Sequence, residues 1–174
     1  MKAQGYFLEY SYSAGTYSKD VGPVDLGFGT SGESATIAKD GNGSLWVAYD
    51  TGTNIKVVWS DPTDHTSTGW TTTNGGVTVN TAALEDSDDL AAIVAFDDKI
   101  GVLWSFHYAD DDPDTDIKPS TFVFRVIQMD KDPTVLNNPV TGWSNEETVS
   151  KGIRLSDDHI HIALTDNNDL LVAT

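Results

Sequence analysis

The chain has no cysteine, which excludes a disulfide framework, a zinc–thiolate centre and a thiol nucleophile, and leaves the redox compartment unread. Basic side chains are scarce: ten Lys and Arg stand against 27 Asp and Glu, a formal charge of -17. Such a field repels nucleic acid and anionic lipid and attracts cations, so a nucleic-acid function is discounted. No stretch approaches the roughly 18 consecutive apolar residues of a membrane-spanning helix, so no membrane insertion is expected. The opening MKAQGYFLEYSYS lacks the apolar core of a signal peptide, since Gln4, Gly5 and Glu9 interrupt it. It reads as a chain whose leader has been removed or as an internal piece. Neither a phosphate-cradling glycine loop nor a nucleophilic serine motif is present, and no 3.6-residue periodicity is sustained.

What is there is aromatic and periodic. Five Trp, six Tyr and six Phe sit inside alternating apolar runs, unlike the aromatic-poor composition of disordered chains. Runs of β-branched and aromatic residues recur between Gly, Asp, Asn, Pro and Thr clusters, which predicts an all-β fold. One strand-turn-strand unit occurs three times. Ile37-Ala38-Lys39-Asp40 with Leu45-Trp46-Val47-Ala48 matches Ile93–Asp97 with Ile100–Leu103, and then Ile162–Asp166 with Leu170–Ala173. After each of the first two copies comes a third strand, at Ile55 to Trp59 and at Phe122 to Met129. A polar loop, a Gly-Trp pair (Gly69-Trp70, Gly142-Trp143) and a short fourth strand then follow.

Four antiparallel strands per unit predict a β-propeller of about three four-stranded blades that begins and ends mid-blade. Its single segment spans residues 1–174. Residues 1–30 end a preceding blade, 31–84 and 85–152 are blades, and 153–174 start a further one. Tyr6 to Tyr12 is then a third strand whose blade is completed elsewhere, by the rest of the protein or by another chain. A β-sandwich is the alternative that evenly spaced strands leave open.

The loops SDPTDHTSTGW (Ser60 to Trp70) and MDKDPTVLNNPVTGW (Met129 to Trp143) resemble the Asp-box of sialidase-like BNR repeat propellers. The box runs Ser or Thr, any residue, Asp, any, Gly, two more, then Trp. Here Asp64 lies six residues before Trp70 instead of five, and Thr66 stands where the Gly belongs. The segments DDKIGVLWSF and SDDHIHIAL are similar to repeats of secreted bacterial propeller proteins. The resemblance implies an extracellular or cell-surface location and makes Trp70 and Trp143 plugs between sheets. Sialidases of this kind hold the substrate carboxylate with three arginines. This chain has only Arg125 and Arg154, so that site is not expected here.

Aligning the three units places Glu33, Asp89 and Asp158 at one equivalent position at the start of the innermost strand, with Asp88 and Asp157 beside the last two. Carboxylates about 8 Å apart repel by roughly 2 kcal/mol at an effective dielectric near 20, so such a group needs donors, a cation or a raised pKa. Donors make the acids strand-entry caps. A cation makes a calcium site. A raised pKa makes Glu33, Asp89 or Asp158 the acid and base of a glycoside hydrolase. His159 adjoins Asp158 and is a further binding candidate, although packed, hydrogen-bonded roles suit both His159 and His161. Asp112, Asp114 and Asp116 alternate as in calcium loops, but Ile117 and Val123 replace the turn Gly and the bidentate Glu. Asp40-Gly41-Asn42-Gly43 and Asp166-Asn167-Asn168-Asp169 read as hairpin turns.

The expected function is a non-catalytic binding or display module of a surface propeller, acting through an acidic face on a carbohydrate, a cell-surface partner or a cation such as Ca2+. A glycoside hydrolase with inner-strand carboxylates and a structural spacer in an adhesin or appendage are the alternatives.

Overall fold

A computed structural model describes residues 5–28, 34–71, 75–81, 83–84, 91–96, 99–107, 119–128, 142–153, 160–167 and 169–173. Its regular elements are all strands, in the order β1 Tyr6–Ser13, β2 Thr16–Asp25, β3 Ala35–Lys39, β4 Leu45–Asp50, β5 Ile55–Trp59, β6 Val77–Thr78, β7 Ala91–Phe96, β8 Lys99–His107, β9 Pro119–Gln128, β10 Glu147–Ile153, β11 His161–Leu164 and β12 Leu170–Ala173. They form four antiparallel sheets, and among the described residues none closes on itself. Two are four-stranded meanders in chain order, β3-β4-β5-β6 and β7-β8-β9-β10. Two are hairpins, β1-β2 and β11-β12.

Local chemistry closes the hairpins. Asp40 bends its carboxylate over the β3–β4 turn, where Oδ1 accepts the amides of Asn42 (2.8 Å) and Ser44 (3.0 Å) and Oδ2 accepts the Trp46 indole N–H (2.8 Å). Gly43 follows at φ +104, a region that L side chains rarely adopt. At the β11–β12 turn the Thr165 and Asp169 backbones pair, with Thr165 N–H donating to Asp169 O at 3.0 Å. The three matching hairpins share one register, with Ile37 opposite Val47, Ile93 opposite Val102 and Ile162 opposite Val172.

Alternation along each strand then sends side chains to opposite faces and builds three apolar layers between four sheets. Phe7, Val24 and Leu26 of the first hairpin meet Val47, Tyr49 and Val58. On the other face of β4 and β5, Trp46, Ala48, Ile55 and Val57 meet Ile93, Ile100, Val102 and Trp104. Leu103 and Phe122 meet Ile160 and Ile162. Backbones of neighbouring sheets come closest at their first strands, β3 against β7 and β7 against β11. Polar ties reinforce this: Ser34 Oγ donates to the buried Asp50 carboxylate (3.3 Å) and accepts the Ala91 amide (3.1 Å), while Thr36 Oγ1 donates to Ala91 O (3.3 Å). Farther out, the buried guanidinium of Arg125 bonds Val79 O in the neighbouring sheet and Ser144 O in its own. Burial lowers its pKa, and Glu146 opposes that shift.

The expected strands differ from the observed ones chiefly at β2, a strand that its sequence does not announce. Lys19, Asp20, Gly22 and Pro23 resemble a loop, yet β2 pairs with β1 from Tyr6 opposite Asp25 to Ser13 opposite Thr16. The Gly22–Pro23 bond is cis, and β1 is irregular around Glu9.

Candidate binding cleft

The acids at the strand entries, Glu33, Asp88, Asp89, Asp157 and Asp158, lie outside the described residues, as do His159, Arg154 and the alternating Asp112, Asp114 and Asp116. The structure therefore does not bring these candidates together or separate them. His161, expected to be packed, is exposed on β11. Among the described residues, no three His, Asp or Glu side chains gather around a point where a metal would sit. Arg125 is a tie between sheets, as its two carbonyl partners show.

The described residues instead build a cleft beside the loop from Ser60 to Thr71. Two short turns of the same kind follow each other, at Asp61-Pro62-Thr63 and at Asp64-His65-Thr66. Asp61 Oδ1 accepts the Thr63 amide (2.8 Å) and hydroxyl (2.7 Å). Asp64 Oδ1 accepts the Thr66 amide (2.9 Å) and hydroxyl (2.6 Å), and its Oδ2 accepts the Thr68 hydroxyl (2.9 Å). Thr66 thus puts a hydroxyl onto Asp64 at the place where the Asp-box has glycine. Asp61 N–H reaches Gly69 O at 2.7 Å, and Ser60 and Trp70 form an isolated bridge, so the loop returns to its starting point. Gly69 leaves no room for a side chain, since a Cβ there would lie 1.8 Å from Asp64 O.

Trp70 is 6% exposed, and its ring lies 5.1 Å from that of Phe7. Its indole N–H donates to His65 O at 3.0 Å, and His65 Nδ1 lies 3.0 Å from Glu9 Oε2 on β1. Trp143 is equally buried, in the next apolar layer. Both indoles therefore fill gaps between sheets, where a large ring buries much apolar area.

The cleft itself holds about 500 Å³, within the usual range for small-ligand sites. Trp59 forms its aromatic wall. That indole stacks on Trp46 at 5.2 Å and 22°, which holds it in place. Asp61, Asp64, Thr63, Thr68 and Ser44 supply the polar rim. Thr63 donors hold the Asp61 pKa below the usual carboxylate range, and Thr66 donors do the same for Asp64, so both stay ionised in neutral solution. Both carboxylates lie on the cleft rim, where a ligand's donors can reach them. The rim chemistry was legible as two Asp-x-Thr triplets, the pattern of short side-chain turns, and a Trp ending a strand just before them. Searches against family models, curated proteins and solved structures found no match to this chain.

Proposed function

We propose that the chain is a non-catalytic binding module, part of a surface-located β-propeller of the Asp-box kind, and that the Trp59 cleft takes a neutral carbohydrate. The observation that carries the ligand is the pairing of a stacked indole with ionised acceptors on one open wall. Sugars present apolar C–H faces to a ring and hydroxyl donors to carboxylates, and both surfaces are side by side here. The charge of -17 and the two aspartates disfavour acidic sugars, which separates this reading from a sialidase.

The radial arrangement is supported by the way neighbouring sheets approach. First strands are closest, Ala91 and Thr36 meet across that junction, and bulky Trp143 and Ile127 fill the layer farther out, as sheets splayed from a common axis require. Spin labels at the three hairpin turns, on Asn42, Lys99 and Asn167, test it. A radial array makes the 42–167 distance clearly shorter than the sum of the two intermediate ones, and parallel stacking makes it equal to that sum.

The ligand is tested by titrating neutral oligosaccharides in a calorimeter. Trp59→Ala is expected to weaken binding about tenfold, the loss of one stacking contact of roughly 1.5 kcal/mol. Asp61→Asn is expected to weaken it less while leaving the melting temperature within a few degrees. Equal binding by wild type and both variants, or no binding by any, sinks the assignment of this cleft.

A further inference from the structure

One turn of the molecule carries side chains that its own folding does not use. In the β3–β4 turn, Asp40-Gly41-Asn42-Gly43-Ser44, the shape is set by the Asp40 carboxylate and by main-chain groups. Asp40 Oδ1 accepts the amides of Asn42 and Ser44, Asp40 N–H donates to Ser44 O at 3.0 Å, and Gly43 N–H donates to Asp40 O at 3.2 Å. Two polar side chains are left over. Among the described residues, neither the Asn42 carboxamide nor the Ser44 hydroxyl takes part in a hydrogen bond, and Asn42 is exposed.

Those two groups are the pair that one covalent modification requires. Asn-x-Ser/Thr, with x other than Pro, is the acceptor tripeptide for N-linked sugar. Asn42-Gly43-Ser44 fits it, and no other asparagine of the chain has Ser or Thr two positions on. The matching turn of the last hairpin shows the contrast. Asp166-Asn167-Asn168-Asp169 also has asparagines, but Asp169 and Leu170 stand two positions after them. The hydroxyl at that turn belongs to Thr165 and is spent on the fold, where it accepts the amides of Asn167 at 3.3 Å and Asp169 at 3.1 Å.

We propose that Asn42 is an N-glycosylation site that receives an oligosaccharide from a lipid pyrophosphate carrier. Asn42 Nδ2 bonds to the anomeric carbon of the first sugar, and the bond from that carbon to the pyrophosphate oxygen breaks. The carrier leaves with the electron pair, the amide loses one proton, and nothing is oxidised or reduced. This rests on the surface location proposed above, because such transfer accompanies export. Ser44 is 9% exposed and Gly43 N–H is engaged once the turn has formed, so the transferase reads the tripeptide before β3 and β4 pair. Gly43 leaves the unfolded tripeptide free to bend into the enzyme. After the hairpin closes, the sugar departs from an exposed side chain and displaces none of the hydrogen bonds that hold the turn.

The test is intact-mass and glycopeptide mass spectrometry of the full chain recovered from its own cells, beside Asn42→Gln, Ser44→Ala and Ser44→Thr variants. We expect the mass of one oligosaccharide on the peptide containing Asn42, its loss in Asn42→Gln and Ser44→Ala, and its retention in Ser44→Thr. Ser44→Ala leaves the acceptor nitrogen in place, so loss there separates enzymatic reading of the tripeptide from chemistry at Asn42 alone. Transfer precedes folding, so a poorly folding variant still reports. An unmodified Asn42 in chain found at the cell surface overturns the inference and leaves the location standing. An unmodified Asn42 in chain retained inside the cell overturns both, and sugar kept in Ser44→Ala overturns the assignment of the tripeptide.

Discussion

Trp70 and Trp143 do the same apolar work with different polar completion. Each is 6% exposed between two sheets, yet the Trp70 indole N–H has His65 O as acceptor, whereas among the described residues the buried Trp143 indole N–H meets no acceptor. A donor buried unpaired costs about 1–3 kcal/mol, so an indole N–H matters where it has an acceptor, and the Trp70 indole ties the 60–71 loop through His65 O. The loop is where the cleft lies.

The largest expected effect removes the common part. Trp70→Ala and Trp143→Ala should each cost about 3–5 kcal/mol in urea unfolding, because both leave a large cavity. Similar losses at the two sites confirm that area dominates. Alkaline pH should separate them. Burial pushes the Tyr49 hydroxyl up to about 12, and Tyr49 belongs to the Trp70 layer, whereas the described part of the Trp143 layer contains no tyrosine. A folded pKa above the unfolded 10.0 means that this contribution is complete below pH 10 and lost as pH rises toward 12. Tyr49→Phe should abolish that alkaline loss in a thermal melt series.

A smaller effect isolates the indole N–H. Trp70→Phe should cost about 1 kcal/mol more than Trp143→Phe, since of the two only Trp70 has an indole hydrogen bond among the described residues. An equal cost at both sites would erase the distinction drawn here. The smallest effect lies at acid pH. Asp61 and Asp64 have depressed folded values, so their contribution is present above the ordinary carboxylate range near 3.9 and disappears as pH falls through the folded values. Asp64→Asn should narrow the difference between melts at pH 6 and pH 3, most visibly by Trp70 fluorescence.

How much of this was readable in the sequence follows from which forces are local. Ile37, Ile93 and Ile162 announced their hairpins because β-branched alternation and Asp, Asn or Gly turns act over a few residues. Strand β2 was hidden because Lys19, Asp20 and Pro23 are loop formers by composition, and only pairing with β1 makes a strand of them. The acids chosen from the alignment, Glu33, Asp89 and Asp158, depend on sheets converging, which no local pattern states. Asp64 was legible only as a box aspartate beside Trp70, and Asp61 carried no signal of its own in that motif. Their Thr partners were the better clue. The cleft also needs Ser44 and Trp59, brought together by the Ser60 hydroxyl accepting the Leu45 amide at 2.9 Å.

The Asp50–Ser34–Ala91 chain of contacts joins two sheets through a single hydroxyl. Asp50, on the second strand of the first meander, holds Ser34 at the entrance to the first strand, and the same Ser34 hydroxyl accepts the Ala91 amide of the second meander. One carboxylate on the first meander therefore governs a junction beyond its own sheet: losing it would loosen the entrance to β3 and, through the Ser34 hydroxyl, the grip on the second meander.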